Sequence, residues 1–179
     1  MSLRNTPGGF GLITRALHWG MAVLIVSLLA LGLRLSSMQP DLSTLWLYGL
    51  HKTLGLTVLA LVLLRVIWHR ISPPPAPLAP GWQRRAARLG HLALYVLLVV
   101  IPLSGWIGSS ATGIDTVFAD RWVVPPIAPL SEAWETAAFT LHDIATKLLM
   151  ALLVLHALAA LHHELAGQGT LTRMLRGRP

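Results

Sequence analysis

The chain has 179 residues, no cysteine, 54% hydrophobic and only 12% charged residues, and a mean hydropathy of +0.64. Soluble domains carry about 25% charged residues, so this chain has too little charge to cover a water-facing surface. The absence of cysteine excludes disulfides, thiolate metal sites and covalently attached c-type haem, and the length fits one domain. The composition therefore predicts an integral membrane protein.

Four segments are long and apolar enough to cross the hydrocarbon core, which needs about 20 helical residues. In chain order they are residues 16–33, 45–64, 89–108 and 141–161. A secretory signal peptide is the alternative for the first segment, because Arg4 and Arg15 precede it. Its apolar run is longer than that of a typical signal peptide, which favours an uncleaved span. We predict an all-α, up-down bundle of four transmembrane helices.

Two connections between the spans have distinct compositions. Residues 72–81 are rich in proline and cannot continue a helix. Residues 109–140 are long enough to hold a short surface helix around Ser131–Phe139. Basic residues predict the orientation, since cytoplasmic segments carry an excess of lysine and arginine.

One side of the predicted bundle holds ten basic residues and the single acid Glu164: Arg4, Arg15, Arg65, Arg70, Arg84, Arg85, Arg88, Arg173, Arg176 and Arg178. The other side holds four basic residues and six acids: Arg34, Lys52, Arg121, Lys147, Asp41, Asp115, Asp120, Glu132, Glu135 and Asp143. Both termini and the proline-rich loop are therefore predicted to be cytoplasmic, and residues 109–140 periplasmic. The basic charge follows from this topology, and we expect no nucleic-acid partner.

Eight histidines are many for this chain, and ionisable groups inside a bilayer are costly and mark functional sites. His142 and His156 lie 14 residues apart on the fourth span, about 40° short of four full turns and about 21 Å along the axis. They face one side of the bundle at opposite ends of the membrane. This spacing is typical of a helix that supplies an axial ligand to each of two stacked haems.

Each of these histidines needs a second ligand from another helix. His51 is the in-span histidine level with His142, whereas His18 and His91 both lie at the depth of His156. Spacing therefore leaves the second pairing open. Two neutral imidazoles fill both axial positions of a haem iron, which favours one-electron transfer over oxygen activation.

Other residues fit such a site. Methionine ligation, by Met21 or Met150, is the less favoured alternative. Arg15 and Lys52 each stand near a ligand candidate and can pair with haem propionates. Four glycines can give room for a porphyrin face or for close helix packing: Gly20, Gly32, Gly55 and Gly105.

Several segments together resemble the bacterial cytochrome b561 family. They are LHW at 17–19, HKTLG at 51–55, LLRVIWHRISPPPAP at 63–77, GHLALYVLLVVIPLSGW at 90–106, and the pair His142 and His156. The resemblance covers nearly the whole chain, and the short form with a basic tail after His162 and His163 is similar to the superoxide oxidase type. It implies a multi-pass protein of the bacterial inner membrane with two b haems. It assigns the cytoplasmic haem to His18 and His156 and the periplasmic haem to His51 and His142.

The resemblance also implies a reaction, in which superoxide is oxidised to oxygen in the periplasm and the electrons cross both haems to ubiquinone. Positive patches raise the on-rates of anions, and the candidates for attracting superoxide are Arg34, Lys52, Arg121 and Lys147, opposed by the six acids. Candidates for delivering protons to the quinone are His91, His162 and His163. Candidates for the quinone pocket are Ser104 and Trp106.

Two other functions stay open. A membrane electron-transfer subunit that exchanges electrons with a separate periplasmic redox protein would have the same haem ligands. A metal-cation transporter is the remote alternative, because nitrogen and oxygen ligands suit zinc. Its candidate ligands, which lie at opposite membrane faces, are His142, Asp143, His162, His163 and Glu164.

Overall fold

The computed structural model describes residues 2–39, 41–77 and 81–177. Within them the helices are α1 (Leu12–Ser36), α2 (Leu45–Ile71), α3 (Gly81–Ala111), α4 (Glu132–Leu165) and α5 (Thr170–Arg176), and the strands are β1 (Thr116–Phe118) and β2 (Trp122–Val124). Part of the predicted proline-rich loop, at 78–80, and Arg178 of the predicted cytoplasmic set lie outside the described residues.

Helices α1 to α4 form the predicted four-helix membrane bundle. Each contains an 18-residue stretch with a mean hydropathy between 1.8 and 2.1 and at most two charged residues, so each is long and apolar enough to cross a membrane. The helices continue beyond the predicted spans, and the difference is largest for α4. Its first turn is capped by Ser131, whose Oγ accepts the Trp134 amide N–H at 3.4 Å. The separate surface helix expected around Ser131–Phe139 is therefore wrong, because these residues begin α4 itself.

A β-hairpin stands where the sequence analysis predicted only a connection. Strand β1 pairs antiparallel with β2, and both Ala119 and Asp120 in the turn have positive φ, at 52° and 51°, as in the turns that match strand twist. The Ala119 N–H donates to Thr53 Oγ1 at 3.0 Å, which joins the hairpin to the start of α2. The all-α class holds for the membrane part, and we call this side of the bundle the hairpin end.

The segments before α1 and after α4 meet at the opposite side of the bundle, which we call the terminal end. Arg173 on α5 is buried, and its guanidinium donates to the carbonyls of Ala76 at 3.0 Å and Pro7 at 3.3 Å. Burial lowers the pKa of this guanidinium. Arg15 donates to the carbonyls of Met174 and Leu175. The two terminal segments and the α2–α3 connection thus share one end, and its cytoplasmic location stays a prediction.

A buried apolar cluster occupies the middle of the bundle. Its members come from three helices: Met21, Ile25, Val58, Val62 and Leu149. The backbone of α4 packs most extensively on α3, α1 packs on α2, and α2 packs on α3, whereas α4 approaches α1 and α2 closely in few places. The histidines described next lie between α4 and these two more distant helices.

Candidate functional site

At the hairpin end, His51 of α2 and His142 of α4 face each other with their ring centres 6.2 Å apart. Two imidazoles bound to opposite sides of one metal, with bonds of about 2 Å, place their ring centres about 6 Å apart. Both rings line a cavity of about 710 Å³ whose walls are mostly apolar, within the range of about 300–1,000 Å³ typical of ligand and cofactor pockets. The pair therefore fits the two axial ligands of one haem.

Hydrogen bonding fixes the tautomer of one of these rings. His142 Nδ1 lies 2.8 Å from the Ile101 carbonyl, so Nδ1 donates its proton and Nε2 keeps a free lone pair, as in most metal-binding histidines. His51 Nδ1 is buried without a hydrogen-bond partner among the described residues. No hydrogen bond within these residues therefore fixes the proton of His51 on Nε2, and that nitrogen can bind a haem iron.

Two glycines make room for these rings. A Cβ at Gly32 of α1 would lie 3.2 Å from His51 Cε1, and a Cβ at Gly105 of α3 would lie 3.1 Å from His142 Cε1. Two of the four glycines predicted to give space therefore stand directly behind the histidines. A Cβ at the other two, Gly20 and Gly55, would meet no atom within 4 Å.

At the terminal end, His156 of α4 has two histidine neighbours. Its ring centre lies 6.3 Å from that of His18 and 5.4 Å from that of His91. The first distance fits two axial ligands of one metal and the second is shorter. Arg65 of α2 completes the group, with its guanidinium Nη2 3.3 Å from His18 Nδ1. Sequence analysis missed Arg65, because it was counted only among the basic residues that set the orientation.

The same 14-residue step relates the two ends on all four membrane helices. The pairs are His18 and Gly32, His51 and Arg65, His91 and Gly105, and His142 and His156. We call Gly32, His51, Gly105 and His142 the hairpin-end layer, and His18, Arg65, His91 and His156 the terminal-end layer. The apolar cluster separates the two layers, which are about 21 Å apart along each helix.

The four cations predicted to attract superoxide divide into two groups. Lys52 and Lys147 line the cavity; Lys52 Nζ lies 3.5 Å from the Asp115 carbonyl, and Lys147 pairs with exposed Asp143 at 2.7 Å. Arg34 and Arg121 lie outside the cavity lining. Arg34 is exposed at the end of α1, and the Arg121 guanidinium stacks over the Trp122 ring at 5.2 Å.

The remaining candidates lie apart from one another. Ser104 is buried, and its Oγ is 3.3 Å from His142 Nδ1. Trp106 lines the cavity, and its indole N–H donates to the Pro125 carbonyl at 3.1 Å. His162 and His163 are in ring contact at the far end of α4, with centres 5.6 Å apart. The quinone-pocket candidates are thus at the hairpin end and the proton-delivery candidates at the terminal end. Arg15, predicted to meet a propionate, bonds to α5.

The ligands suggested for a cation transporter do not converge. No group of three or more histidines or acids within residues 2–39, 41–77 and 81–177 is placed to hold a metal ion. Glu164 is engaged elsewhere, since its carboxylate accepts the amide N–H groups of Leu171 at 2.7 Å and Thr172 at 3.0 Å.

Comparison with known proteins supplies the family. The profile described as prokaryotic cytochrome b561 matches residues 9–177. The chain belongs to this family. It is 39% identical to "Cytochrome b561 homolog 2" of Escherichia coli (strain K12), over 98% of this chain and 95% of that protein. It is 32% identical to "Cytochrome b561 homolog 1" of the same organism, over 90% and 94%, and 28% identical to "Probable superoxide oxidase CybB" of Yersinia pestis, over 89% and 91%.

Family membership confirms the resemblance drawn from the sequence motifs. The chain is a multi-pass cytochrome of the bacterial inner membrane that transfers electrons and binds b-type haem. The four apolar helices embed it in the lipid bilayer.

Proposed function

We propose that this cytochrome b561 holds two b haems, oxidises superoxide at the hairpin end and delivers the electrons to ubiquinone. Two superoxide anions, two protons and one ubiquinone give two molecules of oxygen and one ubiquinol. The observation that supports two haems is the pair of histidine couples, with ring centres 6.2 Å and 6.3 Å apart, in layers separated by apolar side chains.

The residues proposed to hold the haems are His51 and His142 at the hairpin end and His18 and His156 at the terminal end. When bound, haem supplies reversible one-electron chemistry. The residues of the protein position the ligands and enclose the site. The Ile101 carbonyl orients His142, and the apolar cavity walls exclude water. Lys52, at the cavity edge, is the proposed partner of a propionate.

Lys52 is also the residue best placed to attract superoxide. It lines the cavity and its ammonium faces a backbone carbonyl, whereas the charge of Lys147 is compensated by Asp143. A fixed cation at the mouth of an apolar cavity concentrates anions there. The relative named "Probable superoxide oxidase CybB", which is 28% identical to this chain, supports this substrate.

Proton delivery to the quinone is proposed for the terminal end. His91, His162 and His163 lie there, and imidazole exchanges protons near neutral pH. Ser104 and Trp106 are at the other end of the bundle, so they could serve a quinone only near the hairpin. The location of these proton donors favours quinone reduction at the terminal end.

An optical experiment on the detergent-purified protein tests this proposal. Visible spectra are recorded as isolated, after a superoxide pulse without quinone, and after dithionite, and the haem is counted per chain. Two b haems that superoxide reduces and ubiquinone reoxidises are the expected result. Haems that dithionite reduces but superoxide does not would contradict the substrate, and a colourless protein would contradict the ligand assignment.

A second candidate function is electron exchange with a periplasmic redox protein. The hairpin favours it, because Trp122 and Val123 are 56% and 61% exposed and stand outside the membrane helices. A small apolar patch of this kind, with Arg121 beside it, could contact a protein partner. Reduction of the haems by such a partner, but not by superoxide alone, is the result that this candidate predicts.

A further inference from the structure

The two layers differ in charge at corresponding positions. Helix α2 places His51 in one layer and Arg65 in the other. No carboxylate within residues 2–39, 41–77 and 81–177 forms an ion pair with Arg65. Its Nε is buried without a hydrogen-bond partner in the same ranges, and its guanidinium lies 5.8 Å from the Tyr95 ring centre. Arg65 is therefore an uncompensated cation inside the terminal half of the bundle.

The surroundings of the Nδ1 atoms of His18 and His142 also differ between the two layers. Arg65 Nη2 lies 3.3 Å from His18 Nδ1, and a guanidinium can only donate. A His18 that binds a metal through Nε2 carries its proton on Nδ1, so Arg65 offers this proton no acceptor and places a positive charge beside the ring. His142 Nδ1 instead donates to the Ile101 carbonyl, which makes that imidazole a stronger electron donor to a metal. A weaker ligand and a nearby positive charge both favour the reduced state, while a more basic ligand favours the oxidised state.

Cations at the hairpin end do not cancel this difference. Lys147 is paired with Asp143, both more than 60% exposed, and the charge of Lys52 is opposed by the neighbouring Asp115. Salt and water screen exposed charges strongly and enclosed charges weakly. Arg65 is half-buried between membrane helices, so its field acts on the terminal-end layer with less screening.

We propose that Arg65 raises the reduction potential of the terminal-end haem above that of the hairpin-end haem, and so directs electrons from the hairpin end to the terminal end. This inference rests on the two-haem function proposed above. The step moves one electron between the two sites, and it neither breaks a bond nor transfers a proton. Arg65 acts here as a tuning residue, through its charge beside His18.

Potentiometric titration of the full-length protein with both haems bound, followed by visible absorbance, tests the proposal. The variant Arg65→Gln removes the charge and Arg65→Lys keeps it. The control is Arg70→Gln, on the same helix but exposed. The variant His142→Ala, which is expected to retain only the terminal-end haem, identifies that haem's titration component.

Arg65→Gln is expected to lower the potential of that component by about 59 mV, which is a tenfold change in a one-electron equilibrium constant. Arg65→Lys and Arg70→Gln are expected to leave it within about a third of that shift, and the other component should not move in any of the three. An unchanged component in Arg65→Gln, or an equal shift in both components, would overturn the proposal.

Two further outcomes can be distinguished from those above. If Arg65→Gln does not retain the terminal-end haem, Arg65→Lys decides: a potential near that of the wild type supports the role of charge, and a tenfold drop in the reduction constant overturns it. A wild-type protein with fewer than two haems contradicts the proposed function itself, and this is seen before any variant is titrated.

Discussion

The hairpin-end and terminal-end layers use the same four helices and the same 14-residue step, but they differ in what accompanies the histidine couple. The hairpin-end layer has two glycines behind His51 and His142, and a large cavity lies beside them. The terminal-end layer has His91 and Arg65 in addition to His18 and His156. Open space adjoins the histidine couple of the hairpin-end layer, and polar side chains adjoin that of the terminal-end layer. Two sites with matching histidine spacing can therefore differ in chemistry because of the residues that surround the histidines.

The largest effect is expected from the histidine couple of the hairpin-end layer. His51→Ala and His142→Ala should each reduce the haem content from two to about one per chain and remove the same haem. The measurement is haem per chain together with the spectrum of the remaining haem. If His51→Ala retains both haems, these two residues are not the ligands of one iron.

The terminal-end layer is resolved by comparing His18→Ala with His91→Ala. We expect the first to lose one haem and the second to keep both, since the His18 and His156 rings have the separation of two axial ligands and the His91 and His156 rings are closer together. Haem content is again the measurement. The reverse result would assign His91 as the ligand and His18 as the additional polar group.

The space behind the hairpin-end couple is tested by Gly105→Val. A side chain there would press on His142, and overpacking of this kind costs about 1–3 kcal/mol, so haem affinity at the hairpin end should fall by about tenfold or more. Gly90→Val on the same helix is the matched control, because a Cβ there meets no atom within 4 Å. Equal haem retention in the two variants would leave Gly105 without a role at this site.

A smaller effect is expected from the charge at the cavity edge. Lys52→Glu should slow superoxide oxidation by about tenfold at low ionic strength, and added salt should reduce the difference. Stopped-flow haem reduction gives the rate, and Arg70→Glu at the terminal end is the control. A rate that is independent of the charge at Lys52 would assign superoxide attraction to other residues.

The smallest effect is expected from His162→Ala. Haem content should be unchanged and quinone reduction should slow by less than the roughly 100-fold that a sole proton donor supplies, because His163 is in ring contact with it. Steady-state quinol formation measures the change. Normal turnover in the double variant at His162 and His163 would place the proton path elsewhere.

The membrane part of the fold was predictable because an apolar run of about 20 residues has few alternatives to a spanning helix. The ends of the helices were not, since α4 begins at Glu132 in a polar segment where local capping, rather than hydropathy, sets the start. The hairpin was missed because three-residue strands are too short to show an alternating pattern.

The arrangement of the candidate site was predictable where it depends on histidine spacing along one helix, as for His142 and His156. The arrangement could not be predicted where it depends on distances between helices. Spacing along the chain therefore did not decide between His18 and His91. Gly105 was one of several glycines that could give space, and only the contact with His142 distinguishes it. Arg65 was not recognised as part of the site, because its positive charge also fits the excess of basic residues that predicts the orientation of the chain.

Arg173 has a consequence for how this protein is made. Its guanidinium holds the carbonyls of Pro7 and Ala76, but the ribosome adds Arg173 only after all four membrane helices have been synthesised. Until then, the segment before α1 and the start of the α2–α3 connection lack the hydrogen bonds from Arg173. Closure of the terminal end by this contact can therefore occur only after α4 has been synthesised.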